Sequence, residues 1–142
     1  MAEPHASAAE RMALIVKSDT FEDTLLALSF AGIAASAEID VAMFFTNRAA
    51  RLLRIDAMGA FEPADGVAAE YMGAAETLGF RDLGQMLRDV KATGRVRVYL
   101  CSRGARIWDI GPDEMAPEVD SIMGTATFLL DEARRARTVL TI

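Results

Sequence analysis

The chain carries one cysteine and one histidine, and the places where they fall decide which side-chain chemistry is open to it. Cys101 ends the run VRVYLC and is followed by SRGARIW. A thiol acts as its thiolate, so a reactive cysteine needs local positive potential and some access to solvent. The end of a strand can supply both. If 102–108 turns into a helix, the sulfur faces free backbone N–H groups and the positive end of the helix dipole, with Arg103 and Arg106 adding charge and Ser102 a hydroxyl. The same residues admit a second reading. Free cysteine is among the most buried residue types and behaves as a small hydrophobe, and Arg103 and Arg106 then serve only as solvated helix residues.

His5 stands in the polar N-terminal stretch 1–11, where it is remote from any element. Ser-His-Asp and Cys-His catalysis therefore lack a base, and no metal site is expected, since carboxylates alone show no ligand spacing. The eight methionines are scattered through apolar patterns and read as core filler rather than copper ligands. Neither G-x-G-x-x-G after the first strand nor G-x-x-x-x-G-K-[ST] is present, so no nucleotide cofactor is expected. FMN ranks last among the readings, because aromatic residues are scarce in the loops where a flavin would bind.

The elements that must position Cys101 follow from periodicity. Met12 to Lys17, Ile39 to Phe45, Val96 to Cys101 and Thr138 to Ile142 are short apolar runs with β-branched or aromatic content, as in strands covered on both faces. Helical patterns separate them. Phe21 to Ser36 is apolar on almost every side, which suits a helix packed on the sheet and against a further surface, such as another subunit. Ala68 to Leu78 is alanine-rich. Asp82 and Gln85 start a helix that runs until Gly94. Ser121 to Arg137 is expected to be one helix, with Ile122, Met123, Ala126, Leu129, Leu130 and Ala133 on its inner face. The stretch 55–66 reads as a loop able to act as a lid, and Trp108 as an interface residue or a shield for Cys101.

Strands alternating with helices predict an α/β fold: a three-layer sandwich with a parallel sheet of four or five strands, helices on both faces and a flavodoxin-like strand order. Ligands of such folds bind outside the carboxyl ends of the strands. The loops there are Ser18-Asp19-Thr20, Thr46-Asn47-Arg48 and Cys101-Ser102-Arg103-Gly104, with Arg106 close behind. Their short polar side chains serve equally as helix caps or as substrate contacts.

A chain of 142 residues with 52% apolar content fits one domain, here 12–142 behind a flexible tail at 1–11. The formal charge of −6 and the lack of a large basic cluster argue against nucleic acid as a partner. No secretory h-region and no run long enough to span a bilayer is visible, and a single cysteine agrees with a reducing compartment, so a soluble cytoplasmic protein is expected.

Several stretches in order add a further indication: IVKSDTFED at the first strand, the FFT closing the second, LGQMLRDVKATGRVRVYLCS leading to the cysteine, and IMGTATFLLDEA after it. From Met12 to Ile142 the chain resembles the DsrE/DsrF-like family of sulfur-relay proteins, labelled peroxiredoxin-like in its DsrE2 branch. The resemblance implies that Cys101 carries sulfane sulfur as a persulfide. It also implies exchange with small sulfur species or TusA-like carriers, and assembly into trimers or hexamers. Two departures stand out. No second cysteine is present for an internal hand-off, and TNRAA replaces the aromatic-rich loop of the DsrE2 branch; a peroxidatic motif is also missing. The alternative on the same fold is a small-ligand-binding or assembly protein in which Cys101 is structural.

Overall fold

The computed structural model describes residues 9–142; His5 and most of the expected tail lie outside the described residues. Five parallel strands form one sheet: β1 (Arg11–Val16), β2 (Asp40–Phe45), β3 (Val96–Cys101), β4 (Ser121–Met123) and β5 (Thr138–Thr141). Their spatial order is β4-β3-β2-β1-β5. The α/β sandwich is as expected, but the strand order is not the flavodoxin-like 2-1-3-4-5. The chain steps from β1 through β4 in a single direction and only then crosses back to β1's free edge.

That order decides how the two faces are covered. Right-handed crossovers stepping one way place α1 (Phe21–Ser36), α2 (Gly66–Thr77), α3 (Leu83–Ala92) and α4 (Ser102–Ile107) on one face, and the returning crossover places its helix on the other. Alternate strand residues divide accordingly. Leu14, Val16, Met43, Phe45, Val98 and Leu100 pack under α1, α3 and α4. Ala13, Ala42, Phe44, Tyr99 and Cys101 face the opposite way, onto Phe128 and Ala133 of the returning helix, α5 (residues 125–135). This α5 has a single α turn at Thr125–Thr127, widens to π geometry over Phe128–Glu132 and ends in a 3-10 turn at Ala133–Arg135.

Local chemistry explains most of the boundaries. Thr20 caps α1 by accepting from the Asp23 amide at 3.2 Å, and Glu22 and Asp23 complement the dipole in the first turn. Asp82 caps α3 by accepting from the Gln85 amide at 3.0 Å. Gly94, at φ 76°, lets the chain turn back into β3. Ala27, Ala31, Ala34 and Ala35 are buried where α1 meets its neighbours, yet Ile33 keeps 70% of its surface exposed and Leu26 46%.

Two assignments change. Ser121–Met123 is an edge strand, not the first turn of a helix. Asp120 docks it: its amide donates to the Val98 carbonyl at 2.8 Å, and its carboxylate accepts from the Val98 amide at 2.7 Å and from the Lys91 ammonium. The helix that follows buries Phe128, Glu132 and Ala133 and leaves Leu129 and Leu130 in the open, because only one side of it meets the sheet. The 55–66 stretch is anchored rather than free, with Met58 buried in the core and Arg54 bridging to Met115.

Candidate functional site

Cys101 is the last residue of β3, on the face covered by α5, and it has no exposed surface in the isolated chain. Three segments converge on its sulfur. α4 begins at the next residue, so the backbone N–H groups of Arg103 and Gly104 turn toward it. Thr46 follows β2, the neighbouring strand, and brings its hydroxyl beside the sulfur, where it favours the thiolate. Thr125 does the same from the start of α5, which register brings alongside because Cys101 pairs with Met123 of β4. Burial is the largest single influence on this thiol and pushes its pKa up. The four donors favour the thiolate and together outweigh burial, so the pKa lies below the ordinary thiol value.

Gly104 is required for this arrangement. A β-carbon there would stand 2.5 Å from Cβ of Ala50, in the 3-10 helix Asn47–Leu53 that follows Thr46. Without one, α4 and that helix approach closely enough for the Gly104 amide to reach the sulfur. Cys101 belongs to the buried cluster of this face, with Ala13, Ala42, Phe44, Tyr99, Phe128 and Ala133. Phe44 and Phe128 stack with ring centroids 4.5 Å apart. The sulfur thus lies buried among apolar side chains with polar groups at the sheet's carboxyl edge, which is the setting in which a buried anion is tolerated.

The remaining loop residues singled out from sequence divide into two groups. Ser102, Arg103 and Arg106 lie on α4 beside Cys101 and, with Ile107, line an open depression of about 600 Å³. Arg103 and Arg106 are exposed and, among the described residues, join no ion pair. Ser18, Asp19, Thr20 and Asn47 belong to a different cluster. Asp19 accepts from Nε of Arg51 at 2.8 Å, and the Arg51 guanidinium lies 5.8 Å from the centroid of Trp108. The Trp108 indole N–H donates to the Asn47 carbonyl at 2.8 Å, and Arg54 donates to the carbonyl of Trp108. Trp108 packs on the core of the α1–α4 face, so it does not shield Cys101. Ser18 and Thr20 share a hydroxyl contact of 3.3 Å at the cap of α1. Asp19, Arg51, Arg54, Phe61 and Trp108 border a cleft of about 410 Å³.

Thr125 was not visible as a site residue from the sequence, because its approach depends on β4 lying beside β3. The one local signal is Gly124 directly before it, which starts the helix after a short strand. Among the described residues, no group of three or more histidine, cysteine, aspartate or glutamate side chains is placed to hold a metal ion. No helix among them is long and apolar enough to cross a membrane.

The five-stranded parallel sheet with helices on both faces defines an α/β protein, with Cys101 at the end of β3. The model of the DsrE/DsrF-like family matches residues 10–142, and the chain belongs to that family. Among solved structures it is similar to a protein of unknown function, MTH1491, from Methanobacterium thermoautotrophicum. The TM-score is 0.60 at 14% identity, over 92% of this chain and 98% of that one; at this identity the likeness concerns the fold. No curated protein matches the chain.

Proposed function

We propose that the protein is a cytoplasmic, sulfurtransferase-like carrier that holds sulfane sulfur as a persulfide on Cys101 and passes it to a partner thiol. The observation that supports this most is the place of Cys101 at the end of β3, where α4 begins and Thr46 and Thr125 lie alongside, with a pKa below the ordinary thiol value that favours the thiolate such chemistry needs. Membership of the DsrE/DsrF-like family agrees with a sulfur-relay role.

In the loading step the Cys101 thiolate attacks the outer sulfur of a donor persulfide. A new S–S bond forms, the donor's S–S bond breaks, and the donor leaves as its thiolate with the electron pair of that bond. With thiosulfate the same attack expels sulfite. In discharge an acceptor thiolate attacks the outer sulfur on Cys101, forming the acceptor persulfide and returning Cys101 as thiolate, so the cycle needs no external oxidant or reductant. Thr46, Thr125 and the Arg103 and Gly104 amides hold the anion at the start and end of each cycle. Ser102, Arg103 and Arg106 form the approach for an anionic sulfur species or for a TusA-like partner. Ser18, Asp19, Thr20 and Asn47 act as supports that hold α1 and the loop after β2. Exposed Leu26 and Ile33 on α1 support a homo-oligomer, a trimer or hexamer.

The test is mass spectrometry of the intact protein after incubation with polysulfide or thiosulfate. The wild type gains a sulfur atom and Cys101→Ser does not. No adduct, or an equal adduct on the variant, overturns the proposal. The complete burial of Cys101 favours one rival, a small-ligand-binding or assembly protein with a structural thiol. That rival predicts that Cys101 resists alkylation in the native protein at every pH and reacts only after denaturation.

A further inference from the structure

Cys101 is fully buried in the isolated chain, and α5, which covers its face of the sheet, is tied down by a polar cluster on the same face. Glu132, on α5, accepts from the Tyr99 hydroxyl at 3.2 Å and from the Arg97 guanidinium at 3.1 Å. Tyr99 and Arg97 alternate with Cys101 along β3, so all three side chains share one face of the sheet. Among the described residues, Glu132 shares burial with only two other polar side chains, Thr24 and Thr46. A carboxylate is expensive to bury, and this one is held by an ion pair and a hydrogen bond together.

The backbone also departs from a regular helix at this point. Glu132 ends the π turn Phe128–Glu132 with φ −117° and ψ −63°, away from ordinary helical values. Wide turns of this kind interrupt the ladder of helix hydrogen bonds and occur often at functional positions. The opposite end of α5 meets the cysteine: Met123 pairs with Cys101, and a β-carbon on Gly124 would lie 3.7 Å from the Ser102 hydroxyl. Between the two ends Phe128 stacks on Phe44. α5 is therefore a strap strung between β4 and β5, held down against the sheet by Glu132 and by one aromatic pair, with its first turn beside the sulfur.

We propose that Glu132, held by Tyr99 and Arg97, is a positioning residue that latches α5 over Cys101, so that release of this latch opens the thiol to a sulfur donor or acceptor. The proposal rests on the carrier reading for its purpose, but not for its test. Glu132 touches neither the sulfur nor a reactant in this scheme; it acts through α5, by keeping the Thr125 hydroxyl in place and by excluding water.

The experiment follows alkylation of Cys101 by iodoacetamide against pH, in the intact protein, with Tyr99→Phe and Glu132→Gln. Tyr99→Phe keeps the ring and removes only the hydroxyl, and it keeps the proposal testable if Glu132→Gln fails to fold. In either variant the limiting rate at high pH is expected to rise about tenfold, the order of effect of losing one charge-assisted hydrogen bond. The pH midpoint is expected to rise as well, because the Thr125 donor is displaced. The rate should be insensitive to low urea, as for local opening rather than global unfolding. A limiting rate and midpoint equal to wild type overturn the latch. So does an acceleration that climbs with urea as steeply as global unfolding, which would mark a simple loss of stability. A wild type that takes up no sulfur, alongside variants that alkylate faster, removes the carrier reading and leaves the latch. A wild type that loads, alongside variants that alkylate at the wild-type rate, does the reverse.

Discussion

Replacing Thr46 with valine removes one of the four donors on the Cys101 sulfur while keeping a β-branched side chain of similar shape in a buried position. A hydrogen bond to a charged group contributes about 1.5–3 kcal/mol. The other three donors remain, so the lower end applies, and about 1.4 kcal/mol corresponds to a tenfold change in the ratio of thiolate to thiol. Thr46→Val should therefore move the pH midpoint of Cys101 alkylation upward. At any pH below the midpoint the thiolate population falls about tenfold. A more basic thiolate is also a better nucleophile, with a Brønsted slope of about 0.4–0.5, which returns roughly threefold in rate. Stopped-flow or mass-spectrometric alkylation against pH should accordingly show a net loss of about threefold below the midpoint and a gain of about threefold at the high-pH limit. Thr46→Ser retains the hydroxyl and should follow the wild type. A midpoint unmoved by Thr46→Val would refute the claim that hydrogen bonding sets this thiol's ionisation.

Three further outcomes follow. Gly104→Ala places a β-carbon 2.5 Å from Cβ of Ala50. It should cost about 1–3 kcal/mol in urea unfolding and raise the alkylation midpoint by displacing the Arg103 and Gly104 amides; Ala50→Gly in the same chain should restore the midpoint. The folded thiol has a lowered pKa, so between its value and that of the unfolded chain the native state binds fewer protons. The stability of the wild type relative to Cys101→Ser, read from urea midpoints, should therefore rise with pH through that window. The gain should be complete above the ordinary thiol value and lost as pH falls through the folded one. Asp19→Asn breaks an ion pair in which Arg51 is 52% exposed. It should change stability by no more than about 1 kcal/mol and leave Cys101 alkylation unchanged, since the Trp108 cluster packs on the opposite face of the sheet.

Much of the scaffold could be read from the chain because it rests on local signals. Phe21–Ser36 and Val96–Cys101 have the predicted bounds, set by the Thr20 cap in one case and by an apolar run between Gly94 and a helix start in the other. β1 begins at Arg11, one residue before the expected strand. β4 escaped because three residues carry no period; it is a strand through Asp120 and the register with β3, which are tertiary facts. The strand order escaped for a related reason, since the returning crossover to β5 is a choice of edge that no local pattern encodes. Thr125 and Glu132 depend on that order. Once β4 lies beside β3 and α5 crosses the rear face, one reaches the sulfur and the other reaches Tyr99. The Ser18-Asp19-Thr20 and Thr46-Asn47-Arg48 loops were chosen for polar side chains at strand ends, and such side chains suit capping, loop packing and substrate contact alike.

In the proposed cycle Cys101 takes up and gives back one sulfur atom. The direct measurement loads the protein with polysulfide, removes excess reagent, adds a small acceptor thiol and follows the intact mass through both steps. The predicted result is a single added sulfur on Cys101 that leaves on addition of the acceptor, with the free thiol recovered and the acceptor persulfide formed. A chain that never loads, or that loads equally when Cys101 is serine, would contradict it.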